Sequence, residues 1–459
     1  MMNGLPGKMG YSCAEACVAR GMTLADVALT AGTRWHAAFE TNREFLRLVD
    51  TDALLLSWRL NAPGFRSAWK LSKLRLMGWE HTGSELRGHF LGHWLSATAM
   101  VVAVTGDAEL RSRMDSVVAS LAEVAEAHRS GYLSAFPNSF LDRLEAVTPV
   151  WAPYYTLHKL LSGLLMQHTL RDGGSATALR LAEGLGTYVG GRVKALGVEK
   201  QFRTLAQECG GMNDALWSLS AVTGAAAHRE TASLFDKPCL LGPLAMGKDA
   251  LTGMHGATRP PSPPLPPPLT TTSTAAGNTA LALLLGAQRR FEVTGEATFA
   301  ALNDHFARLV LDSRTYATGA STHNELWDPP GQLGHTIKSG GARFDHGETC
   351  VTHNMVRLVS KLLRASGGAV QHAEYIERAL FNGVLGSQRG IEPGSMLYFF
   401  PLGNGVSKRA PQSWRHSGWS TAHGDYWCCQ GTGIEAFARL PEHIFLQSSP
   451  ADAVTASSA

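Results

Sequence analysis

Val104-Thr-Gly-Asp-Ala108 recurs in outline as Val222-Thr-Gly-Ala-Ala226 and Val293-Thr-Gly-Glu-Ala297. Each copy follows an apolar helical stretch and precedes another. Glycine ends a helix in the left-handed conformation at little steric cost, and the turn then feeds the next helix. Repeated helical hairpins predict a toroid or superhelix of helix pairs, an all-α fold. The spacings between copies are unequal, so the repeat is not strict, and chance recurrence of a common turn is the competing reading.

The flanking segments support the hairpins. Asp107 is a good N-cap for a stripe of Leu110, Met114, Val117, Val118, Leu121 and Val124. Ser175 caps a second helix that carries Leu179, Leu181, Leu185 and Val189 and stops at Gly197. Val351–Ala365 repeats the pattern with Met355, Leu358, Val359, Leu362 and Leu363. Strand-like alternation is sparse, and Met396-Leu-Tyr-Phe-Phe400 is the best short candidate.

One stretch breaks the helical text. Arg259–Leu269 holds seven of the 21 prolines and a low-complexity run follows, so residues 259–280 read as a Pro/Thr-rich insertion. Residues 1–22 read as an N-terminal extension, 23–446 as one large domain, and 447–459 as a frayed polar tail. Met1–Gly10 lacks the apolar core of a secretory signal, and no apolar run reaches membrane-span length. The chain as written is therefore expected to carry no export address and to have no membrane partner.

At 459 residues, 44% hydrophobic and 17% charged, the chain is ordinary globular material with room for a large core. A formal charge of +3 is too small for its size to mark a nucleic-acid surface. Seven scattered cysteines, an odd number, make a poor disulfide framework.

The cysteines carry more than their number. Cys428 and Cys429 are adjacent, and Gly347-Glu-Thr-Cys350 adds Glu348 and Cys350. Three sulfurs and one carboxylate suffice for a closed four-coordinate site, and zinc suits that donor set best. Gly431 and Gly433 suit a tight turn that points both sulfurs at one ion. Buried, hydrophobe-like thiols are the competing reading. Glu325, in a loop beside Trp327, is a carboxyl whose pKa apolar surroundings would raise, and a solvated loop glutamate is its plain alternative. His89 and His93 lie four apart on one helical face, a spacing that can hold a metal but without the HExxH order of a metalloprotease. Arg87 beside them favours an anionic or hydroxyl-rich ligand over a second cation. Trp151, His158 and His255, mixed with aromatic and amide side chains, suit a sugar-binding cleft.

Taken in order, Gly78-Trp-Glu80, Leu86–His93, Val150–Lys159, Gly210–Asn213, Tyr316–Gly319, Gly347–Cys350 and Tyr426–Ala436 resemble glycoside hydrolase family 127, the β-L-arabinofuranosidases. The likeness runs from about Thr23 to about Leu440. It implies an (α/α)6 barrel. It also implies a retaining hydrolysis of non-reducing-end β-L-arabinofuranosides in which a zinc-bound cysteine is the nucleophile, an exception to the usual carboxylate pair. Carried across, Cys428 is the nucleophile and Glu325 the acid/base. Glu348, Cys350, Cys428 and Cys429 hold Zn2+. His158, His255 and Tyr398 line the sugar pocket, with His89 and Trp151 alongside. The implied partner is a carbohydrate, with hydroxyproline-rich glycoproteins as one carrier class. Family members continue past the Cys-Cys motif into β-sandwich domains, which this chain is expected to lack. Two alternatives stay open: a non-catalytic zinc- and carbohydrate-binding homologue, and an (α/α)-toroid lyase or epimerase using His158 or His255 as base.

Overall fold

The computed structural model describes residues 24–65, 70, 72, 74–205, 209–252, 277–323, 325–333, 346–390, 392–402, 406–409 and 418–445. His255, the N-terminal extension, the C-terminal tail and residues 259–276 of the expected insertion lie outside them. Residues 277–280, read from sequence as the end of that insertion, instead begin a helix.

Among the described residues there are seventeen α-helices. In chain order they are α1 (Arg34–Leu48), α2 (Thr51–Asn61), α3 (His89–Thr105), α4 (Ala108–His128), α5 (Ser139–Glu145) and α6 (Pro153–Thr169). Next come α7 (Ala176–Leu196), α8 (Val198–Thr204), α9 (Met212–Thr223), α10 (Ala226–Ser233), α11 (Pro238–Ala245) and α12 (Gly277–Thr294). The last are α13 (Ala297–Leu311), α14 (Thr349–Ala365), α15 (Val370–Ala379), α16 (Cys428–Ala438) and α17 (Leu440–Ile444).

Six of these form an inner ring. Helices α3, α6, α9, α12, α14 and α16 pack side by side in that order, and α16 closes back on α3. Each has an outer companion: α4, α7, α10, α13 and α15 for the first five, and α1 for α16. This is the (α/α)6 barrel. The three Val-Thr-Gly turns are inner-to-outer connections. Gly106, Gly224 and Gly295 take φ of 68°, 70° and 72° at the ends of α3, α9 and α12.

The caps form as the sequence requires. Asp107 accepts from the Leu110 amide, and Ser175 accepts from the Ala178 amide. Each such cap stabilises its helix by about 1 kcal/mol. Asp107 also accepts from Arg43 and Arg47 at 2.7 Å each, tying α1 to the start of α4. The inner ring is tightest between α3 and α6. A Cβ on Gly92 would stand 2.2 Å from the Lys159 carbonyl carbon, and one on Gly163 would stand 2.7 Å from the Gly92 oxygen. Only glycine lets these two backbones meet.

Sheet is minimal. β1 (His346–Glu348) pairs antiparallel with β2 (Phe399–Pro401), with Glu348 opposite Phe399. The expected strand at Met396–Phe400 is regular only at its end. Met396 and Leu397 make single bridges to Gln388 and Trp419, so the segment is extended but pairs piecemeal.

Candidate active site

Four inner helices begin at one place. Leu86, Ala152, Tyr155, Cys350, Tyr398, Phe399, Trp427, Cys428 and Cys429 form one buried cluster at the N-terminal ends of α3, α6, α14 and α16. Cys350 is the second residue of α14, and Glu348 is its N-cap. Cys428 and Cys429 are the first two residues of α16. Helix N-termini carry unpaired N–H groups and partial positive charge, which favour carboxylates and thiolates. Antiparallel pairing of β1 with β2 sets Glu348 beside the segment that carries Tyr398.

The geometry is close. One ligand atom each from Glu348, Cys350, Cys428 and Cys429 all lie within 4.8 Å of one another, and all four residues are buried. Cys350 Sγ is 3.0 Å from Cys429 Sγ and 3.1 Å from Thr432 Oγ1. Cys429 Sγ and Cys428 Sγ lie 3.6 and 4.0 Å from Glu348 Oε1. The other carboxylate oxygen, Glu348 Oε2, is buried with no hydrogen-bond partner. A carboxylate and three thiols gathered in a buried site, with one oxygen unsatisfied, are the donor set a thiophilic divalent cation takes. Among the described residues this is the one such group.

The electrostatics separate the sulfurs. Burial pushes Glu348 well above the usual carboxylate range, with the charges of Glu325 and Cys428 adding to it. Burial likewise raises the thiols of Cys350 and Cys429. Burial works against charge on Cys428 too, yet its contacts with Cys350, Cys429 and Tyr398 hold its thiol well below the usual range. Cys428 is the sulfur best able to carry negative charge.

Tyr398 links the sulfurs to a second carboxylate. Its hydroxyl donates to Glu325 Oε1 at 3.0 Å and lies 3.8 Å from Cys428 Sγ. Glu325 is buried and holds φ of 70°, an uncommon conformation for a non-glycine residue. Its sequence neighbour Trp327 turns the other way, into the core against Phe306 at 5.8 Å between ring centroids.

Aromatic rings continue the wall outward. Tyr398 meets Trp427 at 5.8 Å and Trp79 at 6.3 Å, and Trp79 meets Trp151 at 5.1 Å. Trp151 is 42% exposed, so the series runs from the sulfurs to solvent. Trp79 also meets His89 at 5.8 Å. The structure thus gathers Cys428, Cys429, Cys350, Glu348, Glu325 and Tyr398, with His89 and Trp151 in the adjoining wall. His158 stands behind Tyr155, at 5.2 Å between rings. Burial depresses its pKa strongly, so it is neutral at ordinary pH. His255 lies outside the described residues.

Three sequence readings change here. Gly431 and Gly433 do not form a turn; both lie inside α16. Their role is close approach, since a Cβ on Gly431 would stand 2.4 Å from the His93 ring and one on Gly433 would stand 2.1 Å from Met396 Sδ. His89 and His93 do not form a metal pair. His89 Nε2 donates to the Tyr426 carbonyl at 2.9 Å, while His93 Nδ1 donates to Glu435 Oε1 at 2.6 Å. Arg87 faces no ligand, because it donates to the carbonyls of Ala135 and Ser84 at 2.9 and 2.6 Å.

Two contributors escaped the sequence reading. Glu80 accepts from the Gly88 and Phe90 amides at 2.7 and 2.8 Å and so caps α3 from a distance. Burial pushes its carboxyl up to about 8 against the pull of those donors. Trp79 is the ring between Tyr398 and Trp151. Both stand in Gly78-Trp-Glu80, a glycine-led aromatic–acid pair just before an apolar helix, which was the available signal.

A ring of inner helices whose N-termini converge on buried thiols and carboxylates defines an (α/α)6-barrel protein with a candidate metal centre at the head of the ring. Residues 26–442 match the model of the beta-L-arabinofuranosidase GH127 catalytic domain, and the chain belongs to that family. Three solved structures share the fold. One is a glycoside hydrolase, 16% identical with a TM-score of 0.62, over 95% of this chain and 63% of its own. Another is a GH127 beta-arabinofuranosidase, 14% identical with a TM-score of 0.62, over 95% of this chain and 64% of its own. The third is a GH127 beta-L-arabinofuranosidase from Geobacillus stearothermophilus T6, 17% identical with a TM-score of 0.60, over 91% of this chain and 65% of its own. The chain therefore spans somewhat less than two thirds of the length of these structures. No curated protein sequence matches significantly. Among the described residues, no helix is long and apolar enough to cross a membrane.

Proposed function

We propose that the protein is a retaining glycoside hydrolase that cleaves β-L-arabinofuranosides, with Cys428 as nucleophile and Glu325 as acid/base. One observation carries the reading: the Tyr398 hydroxyl stands between Cys428 Sγ and Glu325 Oε1 and touches both. Retaining glycosidases hold nucleophile and acid/base close together, roughly 5–5.5 Å apart, and contact with one shared phenol oxygen brings Cys428 and Glu325 into the same small site.

Glu348, Cys350, Cys428 and Cys429 would hold a zinc ion, which when bound would supply positive charge that keeps thiols deprotonated at neutral pH. The remaining chemistry belongs to the chain. Cys428 Sγ attacks the anomeric carbon while Glu325 gives its proton to the departing glycosidic oxygen, leaving a thioglycosyl enzyme. Glu325, now ionised, takes a proton from water as that water displaces the sulfur. Tyr398 orients Glu325 and follows its charge. Trp151 and Trp79 offer flat apolar faces to the sugar C–H groups, His89 stands in the same wall, and His158 backs it through Tyr155. Arabinofuranosides on hydroxyproline-rich glycoproteins are one carrier class of such a substrate.

The test is turnover of an aryl β-L-arabinofuranoside. Cys428→Ser and Glu325→Gln should each lower kcat/KM by at least about 1,000-fold. Glu325→Gln should recover part of that loss on a substrate with an acidic leaving group, which needs no proton. Unchanged turnover in either variant defeats the mechanism. A metal-loaded, folded wild-type chain that binds the sugar without turning it over would return the reading to a non-catalytic carbohydrate-binding homologue.

A further inference from the structure

A large cavity lies apart from the thiol cluster. It measures about 1430 Å³ and occupies the barrel lumen below it. Tyr155, His158 and Glu435 wall its upper end, and Arg364, Arg439 and Glu442 its lower end. None of Glu325, Glu348, Cys350, Tyr398, Cys428 or Cys429 lines it.

The lining is basic beyond what its carboxylates balance. Helix α14 presents Arg357, Lys361 and Arg364 to the lumen at i, i+4 and i+7, one face of a helix. Lys159 enters from α6, Arg289 from α12, and Arg439 from the residue after α16. Two carboxylates serve two cations each. Glu292 meets Lys361 at 2.8 Å and Arg289 at 2.7 Å, and Glu442 meets Arg439 at 2.6 Å and Arg364 at 3.4 Å. Arg357 reaches Asp214 at 3.6 Å. Lys159 has no carboxylate within ion-pair distance among the described residues; its strongest attraction is Glu435, which draws Arg357 as well and bonds His93. The other charged lining residues do not restore the balance. Arg171 pairs with Asp115, Asp304 pairs with Arg308, and Asp172 is exposed.

Donors are left over as well. Arg439 is buried, and its Nε and one Nη have no hydrogen-bond partner; Nε of Arg364 has none either, and Nε of Arg289 faces only Asp214 at 4.0 Å. A buried charged donor without an acceptor is costly, more so than a neutral one. Helix C-termini favour nearby cations, which accounts for part of the charge on Arg364 and Arg439. It does not account for Lys159 and Arg357, which sit mid-helix where the macrodipole has no effect. Burial lowers the pKa of both.

We infer that the lumen is a binding site for a small anion bearing a carboxylate or phosphate group, held by Lys159, Arg357 and Arg439. The cavity is larger than the roughly 300–1,000 Å³ of common ligand pockets, so it has room for an acidic monosaccharide as well as for inorganic phosphate. The inference stands independently of hydrolysis at the thiol cluster.

Calorimetric titration of the metal-loaded full chain tests it, with galacturonate, inorganic phosphate and neutral arabinose as probes. Saturable binding of either anion is expected, weakened roughly tenfold or more by Arg357→Gln and by Lys159→Met and weakened by added salt. Arg357→Lys should retain part of the affinity. Binding of galacturonate alone assigns the site to sugar acids, and binding of phosphate alone assigns it to phosphate compounds. Circular dichroism establishes that each variant is folded before it is titrated. Absence of saturable binding by both anions overturns the inference. So does binding that both variants leave unchanged, or arabinose binding as tight as galacturonate.

Discussion

The two ends of the inner ring are chemical opposites. At the head, four helix N-termini meet and the side chains are thiols and carboxylates. At the foot, the helix C-termini meet and the side chains are arginine and lysine. Parallel inner helices give the barrel a polar axis, positive at the head and negative at the foot. Each end is furnished with the charge that opposes its backbone. At the head that charge is concentrated until a cation is needed, with Glu348, Cys350, Cys428 and Cys429 sharing one small volume. At the foot it is spread along the lumen and partly answered by Glu292 and Glu442. One ring thus carries a compact candidate cation site and a roomy proposed anion site, and the difference lies in how closely the charges are packed.

Either end of the ring can be perturbed without the other. The largest effect is expected at the head. Glu348→Gln or Cys350→Ser should abolish stoichiometric zinc, read by metal analysis of the purified chain, because a four-donor site loses one donor. Anion binding in the lumen should not change, and parallel loss of both would show that the ends are not separate. The foot should be sensitive to acid. Burial lowers His443 to about 3, and its Nδ1 lies 2.9 Å from Ser360 Oγ. A histidine held neutral by the fold contributes stability above its unfolded pKa, near 6.5, and that contribution is lost as pH falls toward 3 because the unfolded chain takes up the proton. Urea melts between pH 7 and pH 4 should therefore show falling stability, reaching on the order of 4 kcal/mol from this group by about pH 3. His443→Gln should flatten that fall.

A smaller effect separates two glycines of similar helical setting. Gly431→Ala drives a methyl into the His93 ring in the head of the barrel and should cost about 1–3 kcal/mol, read by urea unfolding. Gly191→Ala, on outer helix α7, meets nothing within 4 Å. It should stabilise the chain by about 0.5–1 kcal/mol, the smallest change of the series. Equal signs for the two substitutions would remove close approach as the reason for Gly431.

What the sequence made legible was local. The Val-Thr-Gly turns, the Asp107 and Ser175 caps and the apolar stripe of Val351–Ala365 follow from backbone and side-chain preferences within a few residues. All formed where the text placed them. The ordered motifs brought Cys350, Cys428, Glu325 and Tyr398 into one site because each stands beside a helix start or in a distinctive loop. What failed was whatever depends on the ring. Gly431 reads as a turn residue until α3 is known to lie against it. The Arg357–Lys361–Arg364 face reads as a solvated helix surface until closure of the ring turns it inward. Arg87 looks available until the carbonyls of Ser84 and Ala135 are seen to accept from it.

Closure of the ring also has a consequence in time. The helix bearing Cys428 and Cys429 comes last of the inner six and must pack on the first. The bonds that anchor it span most of the chain: Asn42 of the outer helix α1 donates to the Ile434 carbonyl across 392 residues, and His93 of α3 meets Glu435 across 342. Contacts of such separation form late, after local helical hairpins have assembled. During synthesis, five inner helices are out of the ribosome while the sixth is still to come, so a nascent chain exposes an open arc with Cys350 and no neighbouring sulfurs. The four donors of the candidate metal site therefore come together only when the sixth inner helix packs on the first, so assembly of the site and closure of the ring become the same event.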